Sequence, residues 1–126
     1  KLNSRNIPGV IFRPIIFKPT FDKYADKIIY GAQIHVISRS TYKPFKTTLE
    51  IIKAIQYLYP NRLKFLPPPY EYEFEKKPIE ILLGNHDLFD LVFDENKSIN
   101  NIENLSHLWL HELETFKGVR KNYLLY

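Results

Sequence analysis

The sequence predicts an α+β fold: a short mixed β-sheet packed by two main amphipathic helices and one short helix. Three observations predict it. The steps Arg13-Pro14 and Lys18-Pro19 bar a helix near the start and favour extended backbone. Residues 31–37 alternate along a strand period. Two later stretches, 44–59 and 101–119, carry apolar residues at helical spacing.

The elements follow in order. Val10-Ile11-Phe12 is a short apolar strand entered through Pro8-Gly9 and closed by Arg13-Pro14. Ile15-Ile16-Phe17 is a second, closed by Lys18-Pro19. Residues 21–28 are polar and mixed, a loop. In Gly31-Ala32-Gln33-Ile34-His35-Val36-Ile37, alternation puts Ala32, Ile34 and Val36 on one face and Gln33, His35 and Ile37 on the other.

The first main helix spans 44–59, with Pro44 suited to its first turn and Pro60 ending it. Ile51, Ile52, Ile55, Leu58 and Tyr59 form its core-facing stripe. Tyr70-Glu71-Tyr72-Glu73-Phe74-Glu75 alternates aromatic and acid, the pattern of a half-exposed strand. The apolar run Pro78 to Gly84 suits another short strand. Asn85 is a candidate N-cap for a short helix over 86–93, and 94–100 is a polar loop. In the last helix Ile102, Leu105, Trp109, Leu113 and Phe116 are spaced 3, 4, 4 and 3, again a core-facing stripe. The terminal Tyr123-Leu124-Leu125-Tyr126 is apolar enough to dock.

Composition narrows the function classes. The 126 residues are one domain's length, near the mode for single domains. Cysteine is absent, which excludes a disulfide scaffold, a thiolate zinc site and a cysteine nucleophile. Methionine is absent too, so the chain reads as a processed product or part of something longer. No apolar run reaches the ~18 residues that would span a bilayer. The net charge of +4 is spread over scattered Lys and Arg, so no nucleic-acid partner is expected.

Most chemical motifs are missing. The four glycines are isolated, so there is no phosphate loop, and no cofactor is expected. His107 and His111 share a helix face, but Leu108 stands where a zincin glutamate would be; they read as solvated histidines and no metal is expected. Glu71, Glu73 and Glu75 form an acidic row whose ~7 Å spacing any alternating strand reproduces. Arg13, Gln33 and His35 are more informative. Gln33 and His35 share a strand face, and Arg13 ends a strand that could lie beside it. Together they offer groups suited to sugar hydroxyls, an acetamido group or a carboxylate, though satisfied structural polar residues have the same spacing. No complete catalytic set is present; the chain reads as a binding or accessory domain.

The ordered motifs Pro8-Gly9-Val10-Ile11-Phe12-Arg13-Pro14, Phe17-Lys18-Pro19-Thr20-Phe21-Asp22-Lys23-Tyr24, Gly31-Ala32-Gln33-Ile34-His35-Val36, Leu58-Tyr59-Pro60, Pro68-Pro69-Tyr70-Glu71-Tyr72, Pro78-Ile79-Glu80-Ile81-Leu82-Leu83-Gly84 and Tyr123-Leu124-Leu125-Tyr126 run across nearly the whole chain. In this order they resemble the C-terminal domain of the NamZ-type exo-β-N-acetylmuramidases. The resemblance implies that residues 1–126 are the smaller domain of a two-domain glycosidase. Its partner would be its own N-terminal Rossmann-like domain, which carries the proposed catalytic glutamate, with the active site in the cleft between the two. It implies a peptidoglycan-derived sugar, terminal N-acetylmuramic acid, as substrate and an extracytoplasmic bacterial location. No catalytic residue has a match here, so the isolated chain is expected to be inactive. The substrate-binding residues that match are Arg13, Gln33 and His35, with Tyr70, Glu71 and Tyr72. The pattern departs at Ile29, where the family usually has Cys, and at Ile37-Ser38-Arg39, where it has Thr-Asp-Arg. The alternative is a stand-alone carbohydrate- or protein-binding module.

Overall fold

Phe12 is buried in the sheet, and the side chain of Asn3 satisfies both its backbone N–H and its C=O. In the computed structural model, which describes residues 1–84, 86–93, 102–105 and 107–125, strand β1 spans Val10–Phe17 and strand β2 spans Ile29–Val36. They pair antiparallel, from Val10 opposite Val36 to Phe17 opposite Ile29. On the outer side of β1, Asn3 in a short 3-10 turn acts as a stand-in strand. Its Nδ2 donates to the Phe12 carbonyl at 2.9 Å, and its Oδ1 accepts the Phe12 N–H at 2.8 Å.

Those two bonds fix the parity of the ladder. The outward-pointing N–H and C=O groups of β1 belong to Val10, Phe12, Pro14 and Ile16. Gly9 lies in the other parity, and its carbonyl accepts the Ile37 N–H at 2.9 Å. Pro14 therefore has its missing N–H on the free edge and deletes no ladder bond. Hence the two short strands expected on either side of Pro14 are one continuous strand. Among the described residues the sheet has two strands and is wholly antiparallel, without the parallel pair of a mixed sheet.

The chain divides into two compact units, residues 1–54 and 55–126. In the first, Ile7, Val10 and Phe12 form a buried cluster flanked by Leu2, Tyr42 and Ile51. Each such side chain, fully buried, contributes about 1.5–3 kcal/mol. Gly9 makes the entry to β1 possible. It has φ +75, and a Cβ there would lie 2.5 Å from the Tyr42 backbone nitrogen and 2.7 Å from the Ser38 carbonyl. Helix α1, Pro44–Leu58, buries Thr47, Leu49, Glu50 and Ala54. The expected stripe is displaced: Ile51 and Ile52 are half-buried, whereas Ile55, Leu58 and Tyr59 are exposed. A buried carboxylate at Glu50 is what the apolar pattern could not anticipate; Arg5 neutralises it.

In the second unit, helices α2 (Pro78–Leu83) and α3 (His86–Phe93) follow one another. The strand expected over 78–84 is a helix, and its ends explain why. Pro78 occupies the first position, and Glu80 Oε2 accepts the Lys77 N–H at 2.7 Å. Gly84 closes the helix at φ +67, donating to the carbonyls of Glu80 and Ile81. Leu88, Phe89, Val92 and Phe93 of α3 are buried, and Phe65 packs on Phe89 and Phe93 with ring centroids 5.6 and 4.8 Å apart. Each ring pair adds about 0.5–1.5 kcal/mol beyond its burial. The short helix expected over 86–93 is thus present. The candidate N-cap Asn85 and the loop 94–100 lie outside the described residues, as does Tyr126.

The last helix, α4, spans His107–Arg120, after a 3-10 turn at Ile102–Leu105. Ile102 and Leu105 are buried, but the rest of the expected stripe thins out: Trp109 is half-buried, and Leu113 and Phe116 are exposed. Tyr57 of α1 is exposed as well. Leu124 and Leu125 stay in contact with solvent. None of the helices among the described residues is long and apolar enough to cross a membrane.

Candidate functional site

The antiparallel register decides which side chains share a face. Arg13 lies directly opposite Gln33, and Ile11 opposite His35. By the ladder parity both are hydrogen-bonded pairs, so Arg13, Gln33 and His35 project from one face of the ribbon. The expected adjacency of Arg13 to the Gln33–His35 strand is realised in this register.

The three differ in how they are held. His35 is half-buried, and its Nε2 lies 3.1 Å from Oε1 of Gln33. An amide oxygen only accepts, so Nε2–H donates. That leaves the Gln33 NH2 group with its donors outward and Nδ1 of a neutral His35 ring as an acceptor. Arg13 is exposed and enters no ion pair among the described residues. The face carries a fixed cation, amide donors and an imidazole acceptor. That set matches a carboxylate beside an amide or hydroxyls.

The opposite face of the ribbon is apolar apart from the Tyr30 hydroxyl: Val10, Phe12, Pro14 and Ile16 lie against Tyr30, Ala32, Ile34 and Val36. Val10 and Phe12 are buried on that side. Polar groups are therefore segregated to a single face, and alternation in residues 31–37 is the signal that foretold it.

Tyr70, Glu71 and Tyr72 belong to the second unit and do not form a strand. The Tyr70 N–H donates to the Glu73 carbonyl at 2.8 Å, and the Glu73 N–H to the Tyr70 carbonyl at 3.0 Å, so the chain reverses within two residues. Glu71, at φ +52, is the first central residue of that turn. The alternating pattern failed as a strand signal because, among the described residues, no other strand pairs with it. Its aromatic side faces water, Tyr72 at 94% exposure.

The acidic row dissolves with the strand. Glu73 Oε1 accepts the N–H of Glu75 at 2.8 Å and of Lys76 at 3.1 Å. The bond from Glu75, then that from Lys76, holds its carboxyl below the ordinary glutamate range. Glu73 is thus committed to a local turn. His107 and His111 are exposed. No cluster of three or more His, Asp or Glu suited to a metal occurs among the described residues.

Sequence reasoning overlooked Phe17, which shares the Arg13 face. The signal was a glycine inside a strand, which often marks a close approach by another group. At Gly31 an added Cβ would lie 3.3 Å from Cε1 of Phe17 and 3.6 Å from Cγ2 of Ile15.

Comparisons with known proteins agree with this architecture. A family model described as exo-β-N-acetylmuramidase NamZ, C-terminal, matches residues 1–126. The peptidoglycan β-N-acetylmuramidase NamZ of Bacillus subtilis (strain 168) is 35% identical over 125 residues, 99% of this chain and 27% of that protein. The chain therefore spans about a quarter of the length of that curated relative. The crystal structure of a DUF1343 family protein from Bacteroides fragilis superposes with a TM-score of 0.72 at 21% identity, covering 99% of this chain and 31% of the other. At that identity the likeness concerns the fold. The whole-chain match and the 35% identity settle kinship: this chain belongs to the family of NamZ C-terminal domains.

Proposed function

We propose that the chain is the C-terminal, substrate-cleft domain of an extracytoplasmic bacterial exo-β-N-acetylmuramidase, working with its own N-terminal Rossmann-like domain on peptidoglycan fragments. The observation that carries the reading is the Arg13–Gln33–His35 set on one open face. N-acetylmuramic acid bears a carboxylate on its lactyl group and an acetamido group. The Arg13 guanidinium pairs with the carboxylate through two parallel N–H donors. Gln33 donates to the acetamido carbonyl or a hydroxyl, and the free nitrogen of His35 accepts a hydroxyl proton. Tyr70, Glu71 and Tyr72, which lie in the second unit, are further substrate-binding candidates on the strength of the family resemblance alone. Kinship with a protein named as a peptidoglycan β-N-acetylmuramidase supports the substrate class.

Hydrolysis of a glycosidic bond requires an acid at the leaving oxygen and a second carboxylate on the sugar's other side. The Arg13 face carries neither, so catalysis falls to the other domain and this chain binds and orients. The test is the full-length protein carrying Arg13→Ala. A raised KM for terminal N-acetylmuramides is expected, and unchanged KM and kcat would overturn the role of Arg13. Turnover of a chromogenic N-acetylmuramide by the 126-residue chain alone would overturn the accessory reading.

A further inference from the structure

The Arg13 face carries a feature that polar recognition alone does not explain. Its eight residues are Ile11, Arg13, Ile15 and Phe17 of β1 and Ile29, Gly31, Gln33 and His35 of β2. None is acidic, so Arg13 is the face's uncompensated charge. At one end of the polar set Phe17 reaches diagonally toward Gly31, where a Cβ would lie 3.3 Å from its Cε1, closer than side chains ordinarily pack. Phe17 nevertheless remains 46% exposed. A ring that approaches bare backbone and keeps nearly half its surface in water is open to a ligand as a core residue is not.

We propose that Phe17, laid over Gly31, is the stacking platform for the sugar ring, a role that rests on reading the Arg13 face as glycan-binding. Positions i and i+2 on a strand are ~7 Å apart, so the ring above Gly31 sits one row from Arg13 and Gln33. A pyranose lying on Phe17 presents its C–H face to the π-system and its substituents to that row. Stacking reads the ring and Arg13 reads the charge. The occupant is an N-acetylated sugar carrying a carboxylate. Gly31 is the positioning residue, since a Cβ there would meet Cε1 of Phe17 at 3.3 Å and push the ring aside by a few tenths of an ångström.

The two contributions separate in a titration of the chain by heteronuclear NMR with N-acetylmuramic acid and N-acetylglucosamine. Phe17→Leu is expected to weaken both sugars by the same factor, roughly three- to tenfold, while Arg13→Ala weakens the acid far more than the neutral sugar. Phe17→Tyr should bind as the unaltered chain does. In the unaltered chain, with phenylalanine rings 13C-labelled, the Phe17 ring resonances should move on adding either sugar, a readout that needs no variant to fold. Full affinity in Phe17→Leu, or a Phe17 ring that ignores bound sugar, would overturn the platform while leaving the Arg13 reading intact. No sugar-induced shifts at residues 13, 17, 31, 33 and 35 would overturn both.

Discussion

Arg5 and Glu50 are 45 residues apart in sequence, and Arg5 donates Nε to Oε2 of Glu50 at 2.5 Å, with Nη2 on the same oxygen. Glu50 is buried, whereas the Arg5 side chain keeps 32% of its surface in water. The pair ties the N-terminal 3-10 turn to helix α1 and allows a carboxylate to sit on a buried helix face.

Removing only the cation strands that carboxylate. Arg5→Ala is expected to cost on the order of 2 kcal/mol, less than the loss of a fully buried pair because Arg5 is partly solvated. Replacing both, with Arg5→Met and Glu50→Leu, should cost less than the single change. Urea denaturation midpoints of the three variants measure the difference.

Asn3 supplies both hydrogen bonds on the outer edge of Phe12. Asn3→Ala leaves a partly buried N–H and C=O unpaired, at about 1–3 kcal/mol. Amide exchange at Phe12 should accelerate selectively, while that of Gln33, whose N–H points into the ladder opposite Arg13, changes less.

Gly9 and Gly84 both have positive φ, but only Gly9 is enclosed. Gly84→Ala should cost about 1 kcal/mol, the backbone penalty alone. Gly9→Ala adds collisions with the backbone of Ser38 and Tyr42 and should abolish the cooperative melt or lower its midpoint far more. Parallel calorimetric scans decide it.

The Glu73 carboxyl titrates below the ordinary glutamate range because it accepts the N–H groups of Glu75 and Lys76. Its contribution to the turn is complete above the unfolded-state pKa and is lost as pH falls through the lower folded value. Amide shifts of Glu75 and Lys76 should therefore move together at acidic pH, and Glu73→Gln should flatten that transition.

The sequence was most legible where a local signal and the tertiary environment agree. Alternation over 31–37 assigned the faces of β2 correctly, and placing Arg13 beside them needed only one antiparallel partner. The α+β class follows from the same elements. Residues 70–75 misled because alternation specifies a strand only when another strand completes it; here Glu71 turns the chain instead. Residues 78–84 misled because their apolar run outweighed the helix punctuation of Pro78, Glu80 and Gly84. Phe17 escaped notice because its role depends on what Gly31 lacks, a contact made across the ladder.

The parity of the β1–β2 ladder makes the ribbon one-sided as a template. The Asn3 amide seals the outer rim of β1 at Phe12, and the ring of Pro14 removes the next donor along. On the outer rim of β2, Tyr30, Ala32, Ile34 and Val36 present an uninterrupted row of N–H and C=O groups to which no strand is paired among the described residues. Growth of this sheet, by an incoming peptide or a misfolded neighbour, therefore proceeds in one direction only. A single proline introduced at Ile34 would close it without touching the Arg13 face.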